Sequence, residues 1–153
     1  MRIYIGADHR GFNLKETLKH FLSQEKISFQ DVGAFELDPN DDYPVYAQKV
    51  AESVSNDSRL GKENRGVVIC GSGVGVDIVA NKFNGVRCGL GMNVEQVRSA
   101  RRDDDINVLA LASDDTDEQS AIEIVKTFLE TEFEKSKKHE RRLEEIEKIE
   151  KEN

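Results

Sequence analysis

Short apolar runs alternate along the chain with longer segments in which apolar residues recur every three or four positions. The runs lie at residues 2–7, 27–32, 67–70, 86–90 and 107–112, and each is followed directly by glycine or a polar residue. Runs of this length predict buried strands, and the segments between them predict amphipathic helices. Five such rounds predict an α/β fold with three layers, an open Rossmann-like parallel sheet of about five strands with helices on both faces.

The helical segments differ in how clearly they are marked. Residues 12–24 predict a helix that turns Leu14 and Leu18 inwards and places Lys15 and Lys19 on the opposite face. A second helix begins at Pro44, and a polar loop is predicted at 56–64. In the charged tail, residues 132–153, apolar positions still recur at helical spacing, which predicts a helical extension that docks on the chain or crosses to a partner. With no repeat and no linker, residues 1–153 are interpreted as one domain.

Composition excludes several classes of protein. The formal net charge of −8 argues against general nucleic-acid binding. The two cysteines, Cys70 and Cys88, have no paired spacing, so neither a disulfide framework nor a zinc site is expected. No apolar run approaches the length of a membrane span, and the N-terminus passes directly into a strand. These features predict a cytoplasmic protein without a membrane partner.

The stretch from Gly66 to Val76 carries the strongest chemical signal. A buried strand ends at Cys70, and Gly71, Gly73 and Gly75 follow it. A glycine-rich turn that leads into a helix near Val74 can direct main-chain N–H groups towards an anion, and a thiolate there would gain from the helix dipole. The glycine spacing is not that of a dinucleotide site. The alternative is a buried cysteine followed by an ordinary turn.

The order of strands and helices brings further polar residues to the same place. Ligands of open parallel sheets bind beyond the carboxyl ends of the strands. That rule places Asp8 and His9, which follow the first strand, beside Cys70 and its glycine loop. A base next to an anion-stabilising loop can remove a proton from carbon and hold the resulting enediolate.

Taken together, the motifs resemble one known family along nearly the whole chain. They are Asp8-His9-x-Gly11-Phe12, Asp42-Tyr43-Pro44, Cys70-Gly-Ser-Gly-Val-Gly75, Ala80-Asn81-Lys82, Gly85-Val-Arg87, Asn107-Val-Leu109 and Lys138-His139-Glu-Arg141-Arg142. This combination is similar to ribose-5-phosphate isomerase B and the galactose-6-phosphate isomerase subunits.

The resemblance implies an aldose–ketose isomerase that needs neither a metal nor another cofactor and works through a cis-enediolate. The implied reaction converts ribose 5-phosphate to ribulose 5-phosphate, with Cys70 as the base, Ser72 assisting and the glycine loop binding the enediolate oxygen. It also implies a homodimer, which can pair further into a dimer of dimers, with the C-terminal helix extending to the partner. The residues that it places at the substrate are Asp8, His9, Tyr43, Gly71, Gly73, Gly75, Asp104, Lys138, His139 and Arg142.

The chain departs from the family at three acidic positions. Asp103 and Asp104 stand where the family has a His-Asn pair that includes its ring-opening histidine, and Asp114 stands where it has a phosphate-binding arginine. Lys138 replaces another arginine. Asp103 is interpreted as a general acid–base if burial raises its pKa, and the alternative is a solvated helix end. Arg10, Arg101, Arg102 and Arg141 are the candidates to replace the missing arginine.

These departures leave two other functions open. One is isomerisation of a different or unphosphorylated sugar. The other is a non-catalytic subunit that requires a paralogue. Cys88 is expected in the core and His20 on an exposed helix face, while Asn81 and Lys82 are assigned to packing or to the dimer.

Overall fold

Five parallel strands form one sheet in the computed structural model, which describes residues 1–152. The strands are β1 (Ile3–Ala7), β2 (Phe29–Asp31), β3 (Arg65–Cys70), β4 (Cys88–Leu90) and β5 (Val108–Ala112), in the spatial order β2-β1-β3-β5-β4. The helices are α1 (Phe12–Gln24), α2 (Tyr43–Arg59), α3 (Val74–Ala80), α4 (Val94–Asp104), α5 (Glu118–Glu130) and α6 (Lys137–Glu152). The predicted α/β architecture is confirmed.

The helices cover both faces of this sheet. On one face, Ile5, Ile69 and Leu111 pack with apolar residues of α1, α4 and α5. On the other, Val68 and Cys70 pack with α2 and α3. Because side chains alternate along a strand, the three central strands are buried on both sides. Cys70 therefore lies on the face that α2 and α3 cover.

The two edge strands are shorter than the apolar runs predicted. β2 and β4 have three residues each, where runs of six and five residues were expected. An edge strand pairs on one side only, so fewer of its residues are held in a ladder. Cys88 begins β4, is half-buried and packs against the core cluster that includes Val76 and Val108, so the expectation of a core cysteine is met in part. His20 is exposed, as predicted.

The loop predicted at 56–64 begins later than expected, because α2 continues to Arg59. Asp57 is buried in its last turn and accepts hydrogen bonds from the Tyr4 hydroxyl at 2.6 Å and from Asn64 Nδ2 at 2.7 Å. These bonds lower the pKa of Asp57, with Tyr4 the larger cause. A polar side chain can be buried at this position because its polar atoms form hydrogen bonds within the protein.

Lys15 contradicts the predicted outward face of α1. Its side chain is fully buried, and Nζ lies 2.9 Å from both carboxylate oxygens of Asp31 and donates to the Ala34 carbonyl. Lys19, which is 24% exposed, lies 2.7 Å from the same carboxylate. Burial opposes ionisation of Asp31, but the bonds from Lys15, Lys19 and the main chain lower its pKa. A charge at this position is tolerated because it is paired.

The tail becomes helical at Lys137, and α6 packs on its own chain near the amino ends of the strands. Glu150 accepts from the Gly85 N–H at 3.0 and 3.2 Å, and Gly85 precedes β4. Within residues 1–152, no helix combines the length and apolar character that crossing a bilayer requires. An extension of α6 to a dimer partner stays a prediction.

Candidate active site

The end of β3 places Cys70 at the start of a tight glycine loop. Cys70 is 4% exposed, and α3 begins at Val74 as the sequence predicted. Gly73 has φ of 72°, and a Cβ there would lie 3.0 Å from the Leu111 carbonyl carbon. Only glycine combines this backbone conformation with so close an approach to β5. The loop therefore lies directly against the neighbouring strand.

The segment after β5 supports this loop through hydrogen bonds to main-chain oxygens. The Ser113 N–H and Oγ both donate to the Cys70 carbonyl, at 2.9 and 3.1 Å, and the Asp114 N–H donates to the Gly71 carbonyl at 3.0 Å. Ser113 Oγ also lies 3.0 Å from the Arg10 carbonyl. The ends of β1, β3 and β5 are thus tied together. Ser72 is exposed on the outer side of the loop.

Arg10 lies across the mouth of the loop. Its guanidinium occupies the space beside Gly71 that a Cβ would need, and it pairs with the Asp114 carboxylate. Arg10 is 55% and Asp114 44% exposed, so both groups can meet a ligand from solvent. Of the four arginines considered as substitutes, Arg10 is the one that touches the loop, whereas Arg101 is buried against Ile106.

Tyr43 forms another wall of the candidate active site. It is the first residue of α2, and its ring lies against Gly75, where a Cβ would come within 2.7 Å of the ring and 3.1 Å of the hydroxyl oxygen. The structure therefore brings Tyr43 to the loop that begins at Cys70. A phenol at this position can line a sugar pocket with both an apolar ring and a hydroxyl.

Asp8 and His9 follow β1 and lie at the same end of the sheet, beyond the carboxyl ends of the strands. Asp8 is buried, and its Oδ1 accepts from the N–H groups of Arg10 and Gly11 at 3.0 Å each. One oxygen of Asp8 is therefore committed to shaping its own loop. The predicted convergence of Asp8, His9, Tyr43, Cys70 and the glycine loop is present in the structure.

His9 is held by a residue that the sequence did not single out. Asp41 Oδ1 accepts from the His9 N–H at 2.9 Å and lies 2.7 Å from His9 Nδ1. The hydrogen bond to Asp41 is the main cause that raises the pKa of His9; desolvation opposes it, and the Asp8 charge adds to it. Asp41 Oδ2 is buried and has no hydrogen-bond partner within residues 1–152. Asp41 sits in an acidic loop with Asp38 and Asp42, and no pattern in the sequence distinguishes it from them.

The remaining predicted residues lie at the other end of the sheet, near the amino ends of the strands. Asp103 and Asp104 end α4, where Arg87 Nε, just before β4, lies 3.2 Å from the Asp104 carbonyl. Lys138, His139 and Arg142 are on α6, on the same side. The five residues of β5 span four intervals of about 3.3 Å, so the two ends of the sheet lie roughly 13 Å apart. One chain alone does not bring these residues to Cys70.

Asp103 does not have the raised pKa that the sequence interpretation required. It pairs with Arg102 through two contacts, Nε to Oδ1 at 2.7 Å and Nη2 to Oδ2 at 3.1 Å. This pairing lowers the pKa of Asp103, and His139 contributes in the same direction. That expectation was wrong because Arg102 pairs with Asp103, while Arg87 and Arg101 pair with Asp105. Asp103 is a carboxylate at neutral pH and has no proton to donate.

Asp103, Glu134 and His139 form a cluster with ligand atoms within 4.8 Å of one another. Ligand atoms around a tetrahedral zinc lie roughly 3.3 Å apart, given bonds of about 2 Å. His139 is buried, its Nδ1 lies 3.1 Å from the Glu134 carbonyl, and Asp103 is occupied by Arg102. Asp103 and His139 Nδ1 are therefore already engaged by other groups of the chain, and Glu134 is 58% exposed.

A cleft of about 1050 Å³ opens between α6 and the amino ends of the strands. Arg65, Arg87 and Arg101 line it, together with the apolar residues Leu143 and Ile146 of α6. Desolvation and the nearby Arg101 lower the pKa of Arg65 to about 10. The cleft contains none of the residues around Cys70, so it is separate from the candidate active site.

The chain is similar to known proteins along nearly its whole length. Residues 3–146 match the family model for ribose/galactose isomerases. A protein of Mycoplasma pneumoniae named probable ribose-5-phosphate isomerase B is 40% identical over 132 residues, which is 86% of this chain and 84% of that one. The crystal structure of ribose-5-phosphate isomerase B from Mycoplasma genitalium with bound ribulose-5-phosphate has a TM-score of 0.93 at 38% identity and covers 99% of this chain and 97% of its own. The structure of the Clostridium thermocellum enzyme has a TM-score of 0.91 at 37% identity, with 99% of each chain covered. The chain therefore belongs to the ribose/galactose isomerase family.

Proposed function

We propose that the protein interconverts ribose 5-phosphate and ribulose 5-phosphate. The observation that carries this proposal is the placement of Cys70 at a glycine loop, in a fold that overlaps at a TM-score of 0.93 with a relative described with bound ribulose-5-phosphate. The substrate needs a base, an anion-stabilising loop and a cation for its phosphate. Cys70 and the glycine loop, at the end of β3, are the proposed base and anion-stabilising group, and the Arg10 guanidinium lies beside that loop.

In the proposed reaction, Cys70 acts as a thiolate on the open-chain sugar. It removes the proton from C2 of the aldose, the C2 electrons form a double bond to C1, and the C1 carbonyl oxygen becomes the enediolate oxygen. The loop N–H groups and the Ser72 hydroxyl stabilise that oxygen. Return of the proton to C1, with transfer of the hydroxyl proton from O2 to O1, yields the ketose. A single base serves both carbons because the enediolate is cis.

Arg10 supports a phosphorylated substrate. A guanidinium offers several N–H donors in one plane and suits a phosphate better than a point charge does. Arg10 is half-exposed beside Gly71, so a phosphate can reach it from solvent. Asp114 neutralises part of its charge in the free protein, and phosphate binding therefore requires Arg10 to exchange one anionic partner for another.

We infer that two copies of the chain form a homodimer that completes the site. Val74 and Ile78 of α3 and Met92, which follows β4, are 48%, 53% and 73% exposed, and exposed apolar residues of this kind are typical of an interface. Lys138 and Arg142 are exposed on α6, far from Cys70 of their own chain. A second subunit whose α6 approaches the glycine loop would bring these cations to the phosphate.

The test is turnover of ribose 5-phosphate by the purified homomer, with Cys70→Ala alongside it. We expect conversion by the wild type and its loss in the variant, with an unchanged circular dichroism spectrum. Conversion of ribose 5-phosphate by Cys70→Ala would remove the cysteine from its role.

The Arg10–Asp114 pair favours one alternative, an isomerase of an unphosphorylated sugar, because it leaves less free positive charge at the loop. A panel of free and phosphorylated pentoses and hexoses separates the two functions. Turnover of free sugars alone would support the alternative. Turnover by the homomer also excludes the requirement for a paralogous subunit.

A further inference from the structure

Ribose 5-phosphate exists mainly as a five-membered ring, whereas the proton transfer at C1 and C2 needs the open aldehyde. Opening the ring requires a proton for the ring oxygen O4 and removal of the proton from the hydroxyl on C1. Ribulose 5-phosphate needs no such step, because its O5 carries the phosphate and cannot close the corresponding ring. The forward direction therefore needs a proton donor that the reverse direction, up to the enediolate, does not.

Among the residues beyond the carboxyl ends of the strands, His9 has the side chain that suits this step. Histidine is the side chain that titrates near neutral pH, and such a group makes the best general acid at that pH. The ring is 30% exposed, at the end of the strand next to β3, so that it can meet a ligand bound over Cys70. Asp103, at the other end of the sheet, is held as a carboxylate by Arg102 and cannot serve as the donor.

Asp41 holds His9 at two points. One carboxylate oxygen accepts the main-chain N–H at 2.9 Å and lies 2.7 Å from Nδ1. Nδ1 is thereby committed to Asp41, and Nε2 is the nitrogen left to exchange a proton with a ligand. The Asp41 side chain is 7% exposed, so its charge is little screened by solvent.

The surroundings of the imidazole favour its protonated form. The charged groups that act on it are both carboxylates, Asp8 on its own loop and Asp41 on the loop before α2. Arg10, the adjacent cation, directs its guanidinium away towards Asp114. Burial opposes protonation, but the hydrogen bond to Asp41 outweighs it.

We propose that Asp41 is a positioning residue that makes His9 the proton donor for opening the ring of the aldose. Protonated His9 gives its Nε2 proton to O4 as the C1–O4 bond breaks, and the electron pair of that bond stays on O4. The hydroxyl on C1 loses its proton to water and becomes the aldehyde oxygen, and His9 takes a proton back from water. This inference rests on the proposed function, because it concerns the same substrate.

The experiment compares two reactions of the same protein. One is conversion of ribose 5-phosphate; the other is deuterium exchange at C1 of ribulose 5-phosphate in heavy water, which does not pass through the ring. We expect His9→Gln and Asp41→Asn to lower the conversion of ribose 5-phosphate at least about tenfold. A general acid contributes about 100-fold or more, but sugar that opens spontaneously limits the loss of rate that can be observed. The second should change less than about twofold under the same principle. Glu36→Gln, on the same loop and exposed, is the control and should change neither.

The dependence on pH distinguishes a proton donor from a structural residue. The protonated form of His9 is required, so conversion of ribose 5-phosphate falls as pH rises through its pKa. Asp41→Asn removes the main cause that raises this pKa, so the fall should move to lower pH, and Asp41→Glu should restore it. A purely structural role would lower the rate equally at every pH.

The outcomes distinguish a failure of the role of His9 from a failure of the proposed function. Equal losses in both reactions, or no loss in either, would overturn the role of His9. Absence of exchange and conversion in the wild type would instead overturn the proposed function. If Asp41→Asn fails to fold, His9→Gln provides the same comparison of the two reactions.

Discussion

The guanidinium of Arg10 pairs with the carboxylate of Asp114 directly beside Gly71. A cation that follows β1 and an anion that follows β5 thus meet next to the strand that ends in Cys70. Both side chains are about half exposed, and pairs of this kind stabilise a fold by about 0–1 kcal/mol. The importance of this pair lies in the charge that a ligand meets, rather than in stability.

Arg10→Gln should raise the KM for ribose 5-phosphate with little change in the melting temperature. A hydrogen bond to a charged group contributes about 1.5–3 kcal/mol, which corresponds to about 10-fold to 150-fold in KM. Asp114→Asn should lower KM, because it frees Arg10 from its carboxylate. Steady-state kinetics measures both.

Arg98→Gln is the matched control for Arg10→Gln. Arg98 is 46% exposed and pairs with Glu95 on α4, so its loss removes a comparable ion pair elsewhere. A similar rise in KM in this variant would show that overall charge, and not the place of Arg10, decides binding.

Gly73→Ala should destabilise the protein more than Gly61→Ala does. Both residues have positive φ, 72° and 69°, and an alanine there costs about 1–2 kcal/mol for the backbone alone. A Cβ at Gly73 also meets β5 at 3.0 Å, whereas none of the described atoms lies within 4 Å of one at Gly61. The added crowding should cost about 1–3 kcal/mol more, measured by urea unfolding. Equal losses would mean that the loop is not pressed against β5.

Lys15→Met should cost about 3 kcal/mol of unfolding free energy at neutral pH, because it leaves a carboxylate with fewer partners in a buried place. Lys19→Met, at the more exposed contact to the same Asp31, should cost less than about 1 kcal/mol. Denaturant unfolding of both variants measures the difference.

The effect of Lys15→Met should also depend on pH. Because the folded pKa of Asp31 is lowered, its contribution to stability is present above the unfolded pKa and is lost as pH falls through the folded one. Protonation of Asp31 removes the partner of Lys15, so the difference between wild type and Lys15→Met should narrow in acid. A difference that is constant with pH would contradict the pairing.

Mixing Cys70→Ala with Arg142→Ala should restore activity that each variant lacks alone. If each site combines Cys70 of one subunit with α6 of the other, the mixed dimer contains one complete site. At equal mixing about half of the dimers are mixed, and each holds one of two sites, so about a quarter of wild-type activity is expected if subunits exchange freely. Sites built within single chains would stay inactive, which isomerase assays after co-refolding would reveal.

The pattern of apolar residues predicted the strands and the helices, because burial imposes that pattern, and the three glycines after Cys70 predicted the loop. The apolar pattern placed Lys15 on the wrong face of α1, because the buried ion pair with Asp31 joins residues sixteen positions apart. Asp41 was missed for the same reason: its partner His9 is 32 positions away, and three aspartates share its loop.

The resemblance to a family identified residues at both ends of the sheet, but it did not predict their ionic partners. Asp103 was interpreted as a general acid–base on the condition that burial among other carboxylates raises its pKa. Its neighbour Arg102 in fact binds it with two contacts, which a linear pattern of charges does not reveal. Side-chain pairing depends on rotamers and on tertiary contacts, and these have no period along the chain.

The hydrogen bonds that join the segment after β5 to the glycine loop have a consequence for how the protein can change. Asp114 supports Gly71 through its main-chain N–H, and that N–H is available from any residue except proline. A mutation that reverses or removes the charge at position 114 therefore leaves the loop in place while it alters the choice of anion. Substrate preference can evolve at this position by single steps, independently of the machinery that moves the proton.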